Sequence, residues 1–408
     1  MKILICSANY APEPTGIGKY SGEMAEWLAA QGHEVRVVAA PPYYPAWRVA
    51  DAYRGRLYSR EQRCGVTVWR APLWVPQRAG GLARVLHLLS FAVTSAPLLL
   101  WWGLRWRPQV VMTVAPFFTC APAALLAAKL GGARSWLHVQ DYEIDVAFGM
   151  GALKGGALRR AVGALERAIF RCFDRVSSIS QRMLDRATDK GVRFERQVMF
   201  RNWVDVVTIR PLQQTSSYRR ELGLTVDDIV VLFSGTLGKK QGLQLVPQAA
   251  HLLADLSRLH FVVCGDGPMK PELLALCEGL ARVHFMPLQP FERLSELLGL
   301  ADIHLLPQDV AVEDLVLPSK LSGMLASGRP VVATCAADTE IGHIVRQCGS
   351  CVPPGDAGQL AVALRQLAAA PAQRTLYGQR ARQLAEEGFA RDSILGQLVV
   401  SMARAVGG

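Results

Sequence analysis

The chain has 408 residues, half of them hydrophobic, nine cysteines and a formal net charge of +11. That length and apolar content suit two to three ordinary domains with substantial cores. No zinc-finger spacing or basic helical repeat accompanies the charge, so nothing speaks for DNA. The cysteines are odd in number and scattered, and the first residues already read as a strand. The expectation is free thiols in a reducing cytosol, with no leader ahead of the fold.

Residues 2–5 read as a short parallel strand, apolar on both faces. A glycine turn follows, Thr15-Gly16-Ile17-Gly18-Lys19, and then a helix from Tyr20 to Gln31 with Met24, Trp27 and Leu28 at helical spacing. Gly16 and Gly18 would let the backbone approach a donor phosphate or an acceptor, with Lys19 adding charge. A plain strand-to-helix turn would read the same way. The second strand is Val35–Ala39. It ends in Ala40-Pro41-Pro42 without an acidic residue, and the first strand lacks an immediate Gly-x-Gly-x-x-Gly turn, so a dinucleotide oxidoreductase fits poorly.

Charge then concentrates. Ten arginines lie between Trp47 and Arg107 against only Asp51 and Glu61, and from Gln62 to Gln140 there is no acidic residue. Such a surface suits anions: lipid headgroups, a lipid diphosphate or nucleic acid. Within it, residues 85–104 form an uncharged apolar run flanked by Arg84, Arg105 and Arg107, with Trp101, Trp102 and Trp106 at one end. The run approaches spanning length, but a span would divide one sheet between two sides of a bilayer. Peripheral insertion of a segment of about residues 72–107 ranks first, a core helix second and a span third.

Strands at 110–114, 135–139 and 175–179 alternate with helices, as in a doubly wound sheet. His138-Val139-Gln140-Asp141 closes one of them at the carboxyl edge. Asp141, the first carboxylate after the acid-free run, is preferred over His138 for holding sugar hydroxyls; Tyr142, Glu143 and Asp145 are weaker. Asn202–Tyr218, with Pro211 and the polar run 213–217, reads as an interdomain linker. Alternation restarts at 229–233 and continues at 261–263, 283–285, 303–306 and 331–333.

Three glycine-marked turns punctuate this second half. They are Ser234-Gly235-Thr236-Leu237-Gly238-Lys239-Lys240, then Cys264-Gly265-Asp266-Gly267-Pro268, then Pro318-Ser319-Lys320-Leu321 leading through a helix to Gly328-Arg329-Pro330. Glycine backbone, helix N-termini and the charges of Lys240 and Lys320 suit a nucleoside diphosphate. Of the adjacent lysines, Lys240 is favoured over Lys239. Asp266 either faces the nucleobase or caps the helix near Pro268. Glu340 has two readings as well, a ligand contact or a charge at a helix start. Cys348 and Cys351 have redox or metal spacing, but no second Cys/His pair is near, and two core or turn thiols are preferred.

At these turns the chain resembles glycosyltransferase family 4, the retaining nucleotide-sugar enzymes of GT-B fold. It is similar in particular to the WcaI-type group of colanic acid and exopolysaccharide assembly. The opening Met1–Ile5, Asn9–Tyr20, the stretch Gly32–Val38 and Asn202-Trp203-Val204-Asp205 carry the likeness. The resemblance implies two Rossmann-like α/β domains facing a cleft. Residues 1–205 would take the acceptor, 206–390 the nucleotide sugar, and helix 391–408 would cross back. It also implies transfer of a sugar from a nucleoside diphosphate, GDP-fucose foremost, to a polyprenyl-diphosphate-linked saccharide on the cytoplasmic face of the inner membrane. Front-face attack would have the leaving diphosphate accept the acceptor's proton. Lys240, Lys320 and Asp141 would serve catalysis. Gly16, Gly18, Lys19, His138, Gly235, Thr236, Lys239, Gly265, Asp266, Gly267, Asp314, Ser319, Leu321 and Glu340 would bind substrates, with no metal or cofactor.

Two departures stand out. Leu315 and Gly323 occupy the positions where many members carry a glutamate pair, and Thr236 stands where many carry arginine. Lys320 and Glu313 or Asp314 are the available replacements. A UDP-sugar transferase, a GT-B epimerase and a non-catalytic binding protein are the rival readings. The epimerase would need acid/base carboxylate pairs and no membrane face.

Overall fold

The computed structural model describes residues 1–14, 16–76, 81–142, 156–309 and 318–407. Contacts divide the chain into Met1–Arg201 with Leu395–Gly408, and Asn202–Ile394.

The first unit holds an eight-stranded sheet. Its strands are β1 (Lys2–Cys6), β2 (Glu34–Ala39), β3 (Ser59–Arg63), β4 (Val66–Arg70), β5 (Val110–Ala115), β6 (Arg134–Val139), β7 (Arg175–Ser178) and β8 (Gln197–Met199), ordered 3-4-2-1-5-6-7-8. All pairs are parallel except the β3–β4 hairpin. That hairpin turns through Cys64 and Gly65, at φ 45° and 82°, as a tight two-residue loop demands. The central strands read as unbroken apolar runs because helices cover both faces: β5 is buried along its whole length.

The second unit holds six parallel strands: β9 (Ile229–Ser234), β10 (Leu259–Cys264), β11 (Val283–Met286), β12 (Ile303–Leu306), β13 (Val331–Thr334) and β14 (Gly349–Val352), ordered 11-10-9-12-13-14. Three core clusters pack on it. One gathers Val231, Phe233, Phe261 and Val263, the second Leu306, Leu321, Met324, Val331 and Ile341, and the third Tyr218, Val230, Leu232 and Val262.

The segment read as a linker is not a loose tether. Trp203 is buried, Val204 bridges to Ala390, and Asp205 holds Arg391 at 2.9 Å. Arg382 donates to the carbonyls of Val206 and Ile209 at 2.8 Å each. Apolar side chains at Val204 and Ile209 gave this stretch a core to join. The helix Arg391–Gly407 begins in the second unit and ends in the first.

The apolar run forms the helix Gly81–Trp106, with Pro97 inside it. It is the crossover between β4 and β5, which lie in one sheet, so it does not span a membrane. His87, Phe91, Ser95, Leu99 and Gly103, four residues apart, form its buried stripe. Gly103 and the helix Ala121–Gly131 meet so closely that a Cβ there would lie 2.5 Å from the Ala127 carbonyl. The opposite stripe is apolar yet exposed: Leu82, Leu86, Leu89, Val93, Trp101 and Leu104, with Val93 70% and Trp101 56% accessible. The helix is therefore half core and half exposed, not one or the other. Trp102 and Trp106 are covered by Arg36, whose guanidinium lies 4.0 and 4.3 Å from their ring centroids. The arginine-rich segment is also less bare than its sequence. Arg70 is buried against Glu61 and the carbonyls of Ala11 and Ala40, Arg63 pairs with Glu26, and Arg48 with Asp51. Arg78 lies outside the described residues.

Candidate nucleotide-sugar site

In the second unit the glycine turns after β9 and β10 are joined backbone to backbone. Gly235 N–H donates to the Cys264 carbonyl at 2.9 Å, Leu237 N–H to that of Asp266 at 2.8 Å, and Met269 N–H to that of Leu237 at 2.9 Å. This contact is why glycine stands there. A Cβ on Gly265 would lie 1.9 Å from the Gly235 oxygen, and one on Gly267 would lie 2.5 Å from that of Leu237. The turn after β9 continues into Lys239–Gln241, and the Lys240 carbonyl accepts from Asp309 N–H at 3.0 Å, tying it to the segment after β12.

The third turn brings Lys320 to the same place. It lies in the first turn of the helix Ser319–Ala326, whose Leu321, Met324, Leu325 and Ala326 are buried and whose end at Ser327 leads through Gly328 and Pro330 into β13. The Lys320 ammonium is 4.2 Å from the Phe233 ring centroid, and a Cβ on Gly235 would be 3.4 Å from it. It is buried and has no hydrogen-bond partner among the described residues. Burial pushes its pKa down to about 8. An ammonium held dry beside a glycine turn and a helix N-terminus is a prepared seat for an anion.

Gly235, Thr236, Lys239, Lys240, Gly265, Asp266, Gly267, Ser319 and Lys320 thus share the carboxyl edge of one sheet, with Thr236, Lys239, Lys240, Asp266 and Ser319 exposed. Asp266 does not cap the next helix. That helix, Lys270–Leu276, starts after Met269 without a side-chain cap, and Asp266 pairs with Lys270 at 3.6 Å. Leu321 is a correction. Its side chain is fully buried in the core and its N–H is bonded to the Pro318 carbonyl, so it offers a ligand nothing. Glu340 is the first residue of the helix Glu340–Cys348, behind the Thr339 cap, which is where a helix-start charge belongs. Asp314 and Glu313 lie outside the described residues. Cys348 ends that helix in the core and Cys351 lies in β14; both are free thiols.

In the first unit the outcome differs. Gly16 opens the helix Gly16–Ala30. A Cβ on Gly18, however, would fall 2.5 Å from a carboxylate oxygen of Glu13. Glu13 is buried, and it accepts from the N–H groups of Tyr43 and Tyr44 at 3.1 Å and from Asn9 Nδ2 at 3.0 Å. Burial raises its pKa against these hydrogen bonds. The glycine turn is thus already packed by the protein's own carboxylate, which corrects the reading of Gly18 as a bare phosphate contact. Sequence reading missed Glu13; an acid just ahead of a helix N-terminus was the signal. Lys19 pairs with Glu23 at 3.8 Å. His138 is also corrected. It is buried in β6, bonded through Nδ1 to Ser177 Oγ at 3.0 Å and packed on Phe200, and burial takes its pKa down to about 3. Asp141, just past the end of β6, is half-buried at the carboxyl edge; Glu143 and Asp145 lie outside the described residues.

Comparison with known proteins agrees with this architecture. Residues 15–203 match the glycosyl transferase 4-like domain and residues 228–370 match the glycosyl transferases group 1 family. The chain is 42% identical over 98% of its length, and 99% of the other, to the Escherichia coli K12 protein named "Putative colanic acid biosynthesis glycosyl transferase WcaI". Its fold is similar to sucrose-phosphate synthase from Thermosynechococcus elongatus (TM-score 0.73, 17% identity, 99% of both chains). It is also similar to Anabaena HepE in complex with UDP-glucose (TM-score 0.71, 17% identity, 99% of this chain and 100% of that one). Two parallel sheets, a glycine-turn site on the second and matches across both halves place the chain in the glycosyltransferases of GT-B fold, in the family whose two domains are the glycosyl transferase 4-like and group 1 domains.

Proposed function

We propose that the protein is a retaining transferase that moves a sugar from a nucleoside diphosphate, GDP-fucose before others, to a polyprenyl-diphosphate-linked saccharide in exopolysaccharide assembly. The observation that carries the reading is the buried Lys320 ammonium beside Gly235 and Phe233, without a hydrogen-bond partner among the described residues. Breaking the sugar–diphosphate bond leaves negative charge on the departing phosphate oxygen. A dry, fixed cation there stabilises that charge without reorganising, and this is worth on the order of 3 kcal/mol. Lys240, exposed on the neighbouring turn, adds charge at the outer rim. Charge neutralisation in this scheme falls to lysines and helix N-termini. The departing oxygen takes the acceptor's proton as the new glycosidic bond forms on the same face. Asp141 orients sugar hydroxyls.

The colanic acid name of the Escherichia coli relative supports a place in exopolysaccharide assembly. The exposed apolar stripe from Leu82 to Leu104 supports the lipid-linked acceptor, because it suits a peripheral seat on the cytoplasmic face of the inner membrane. The UDP-glucose complex of HepE, a protein of the same fold, keeps a UDP-sugar as the alternative donor. A thermal-shift screen separates them, because tight binding raises Tm by mass action. GDP should raise Tm in wild type and far less in Lys320→Ala. A UDP-only response moves the donor to the alternative, and no response to any nucleoside diphosphate overturns the site.

A further inference from the structure

A second cavity, of about 500 Å³, lies wholly within the second unit. Its lining includes Asp302, which precedes β12, and Pro330, which precedes β13. It therefore opens at the amino edge of the parallel sheet, the end opposite the glycine turns. The volume is that of a small-molecule site.

Three arginines line it: Arg329, Arg374 and Arg382, with Asp302 and Glu386 as the acids. The acids are already engaged. Asp302 pairs with Arg219 at 2.6 Å and Glu386 with Arg382 at 2.7 Å. Arg382 gives three of its four remaining N–H groups to the carbonyls of Val206, Ile209 and Ala326. Arg329 and Arg374 are different. Arg329 donates from one nitrogen to the Gly299 carbonyl at 3.3 Å, and Arg374 from one nitrogen to the Leu367 and Ala368 carbonyls at 2.5 and 2.7 Å. Neither forms an ion pair among the described residues, and neither leaves a buried orphan nitrogen, so the nitrogens without a hydrogen bond are accessible to solvent on side chains that line the cavity. Burial depresses the pKa of Arg329; Asp302 opposes this, and the charges of Arg219 and Arg374 add to it. Two half-used guanidiniums thus repel each other across a concave space. The frame that holds them is rigid: a Cβ on Gly378 would lie 2.3 Å from the Gly328 carbonyl, so the helix Pro371–Gly388 is pressed onto the loop carrying Arg329.

We propose that this cavity binds a compact phosphate-bearing molecule at a site separate from the donor turns. Guanidinium forks match phosphate oxygens bidentately, and a phosphate has enough terminal oxygens to satisfy both arginines. A carboxylate, with two oxygens, would leave one fork unused. The site takes either free phosphate or a phosphate monoester, and the probes tell these apart.

The test is a titration of inorganic phosphate and of phenyl phosphate at constant ionic strength, with chloride as control, followed by Tm. At least one probe should give a saturable rise in Tm. The stronger response to phenyl phosphate identifies a monoester, and the reverse identifies free phosphate. Arg374→Gln should weaken the half-saturation at least tenfold, and Arg329→Lys, which keeps the charge and loses the fork, should weaken it as well. Lys320→Ala should leave it unchanged, and saturating nucleoside diphosphate should not displace it from wild type. Absence of a saturable rise overturns the proposal. So does a rise lost in Lys320→Ala, displaced by nucleoside diphosphate, or kept in both arginine variants.

Discussion

Lys320 lies over Phe233, its ammonium 4.2 Å from the ring centroid, where a carboxylate or a water-filled groove would have been the easier neighbour. The aromatic face offsets part of the desolvation cost, on the order of 1–2 kcal/mol, but accepts no hydrogen bond from the ammonium, which has no such partner among the described residues. Lys320→Ala should therefore cut turnover roughly 10²-fold while Tm stays level or rises. Lys240→Ala should lower turnover by a similar factor through lost rim charge. Steady-state kinetics with circular dichroism on both variants checks this; wild-type turnover in both would mean the site is elsewhere.

The pH dependence of donor binding follows from the same residue. Free Lys320 loses its proton through about pH 8, and a bound diphosphate favours the charged form. Below pH 8 the ammonium is charged with or without ligand, so affinity should be flat. Above it a proton must be taken up, so affinity should fall, approaching tenfold per pH unit. Calorimetry in buffers of differing ionisation enthalpy should register that uptake in wild type and not in Lys320→Gln.

Glu13 pins two loops of the first unit, and removing it should show in stability. Glu13→Ala leaves the N–H groups of Tyr43 and Tyr44 without their acceptor and should cost about 1–3 kcal/mol. Glu13→Gln keeps an acceptor and should cost far less. Because burial raises the Glu13 pKa, its contribution is greatest at acid pH and declines as pH rises through the folded value. The gap between wild type and Gln should accordingly narrow from acid to neutral pH in denaturant titrations.

The exposed stripe of the helix Gly81–Trp106 predicts binding to vesicles. The protein should sediment with anionic liposomes, less with neutral ones, and salt should release only part of it. Val93→Ser with Trp101→Ser should weaken binding in a way salt does not mimic, since both are exposed. Trp102→Ser should act mainly on stability, because Arg36 covers that ring. Indifference to liposomes of every composition would remove the membrane seat.

The alternating apolar runs made most of both sheets readable. Four strands escaped. Three do not look buried: Ser59–Arg63 is polar and lies on the sheet edge, Gln197–Met199 is three residues long, and Gly349–Val352 opens on glycine. The fourth, Val66–Arg70, alternates buried and half-buried residues but stands inside the arginine-rich segment, where the charge took precedence in the reading. The glycine turns were visible as turns, but not that Gly265 closes on the Gly235 oxygen, since that contact joins residues thirty apart. Leu321 and His138 misled for one reason: position beside a motif says nothing of which way a side chain points, and both turn into a core. Arg70 misled in the opposite sense, a charge that reads as surface and is enclosed by Glu61 and two carbonyls.

The contact between the two glycine turns has a consequence for anyone wishing to change the donor. Loops fastened main chain to main chain cannot be reshaped one at a time, and a methyl group on Gly265 or Gly267 would push against a carbonyl rather than into space. On the proposed function, retargeting the donor would be a matter of redecorating the rim, at Thr236 and Asp266, which are exposed and carry no core. A combinatorial library restricted to those two positions should retain folded, soluble members at high frequency, whereas one that includes the glycines should be dominated by misfolded clones.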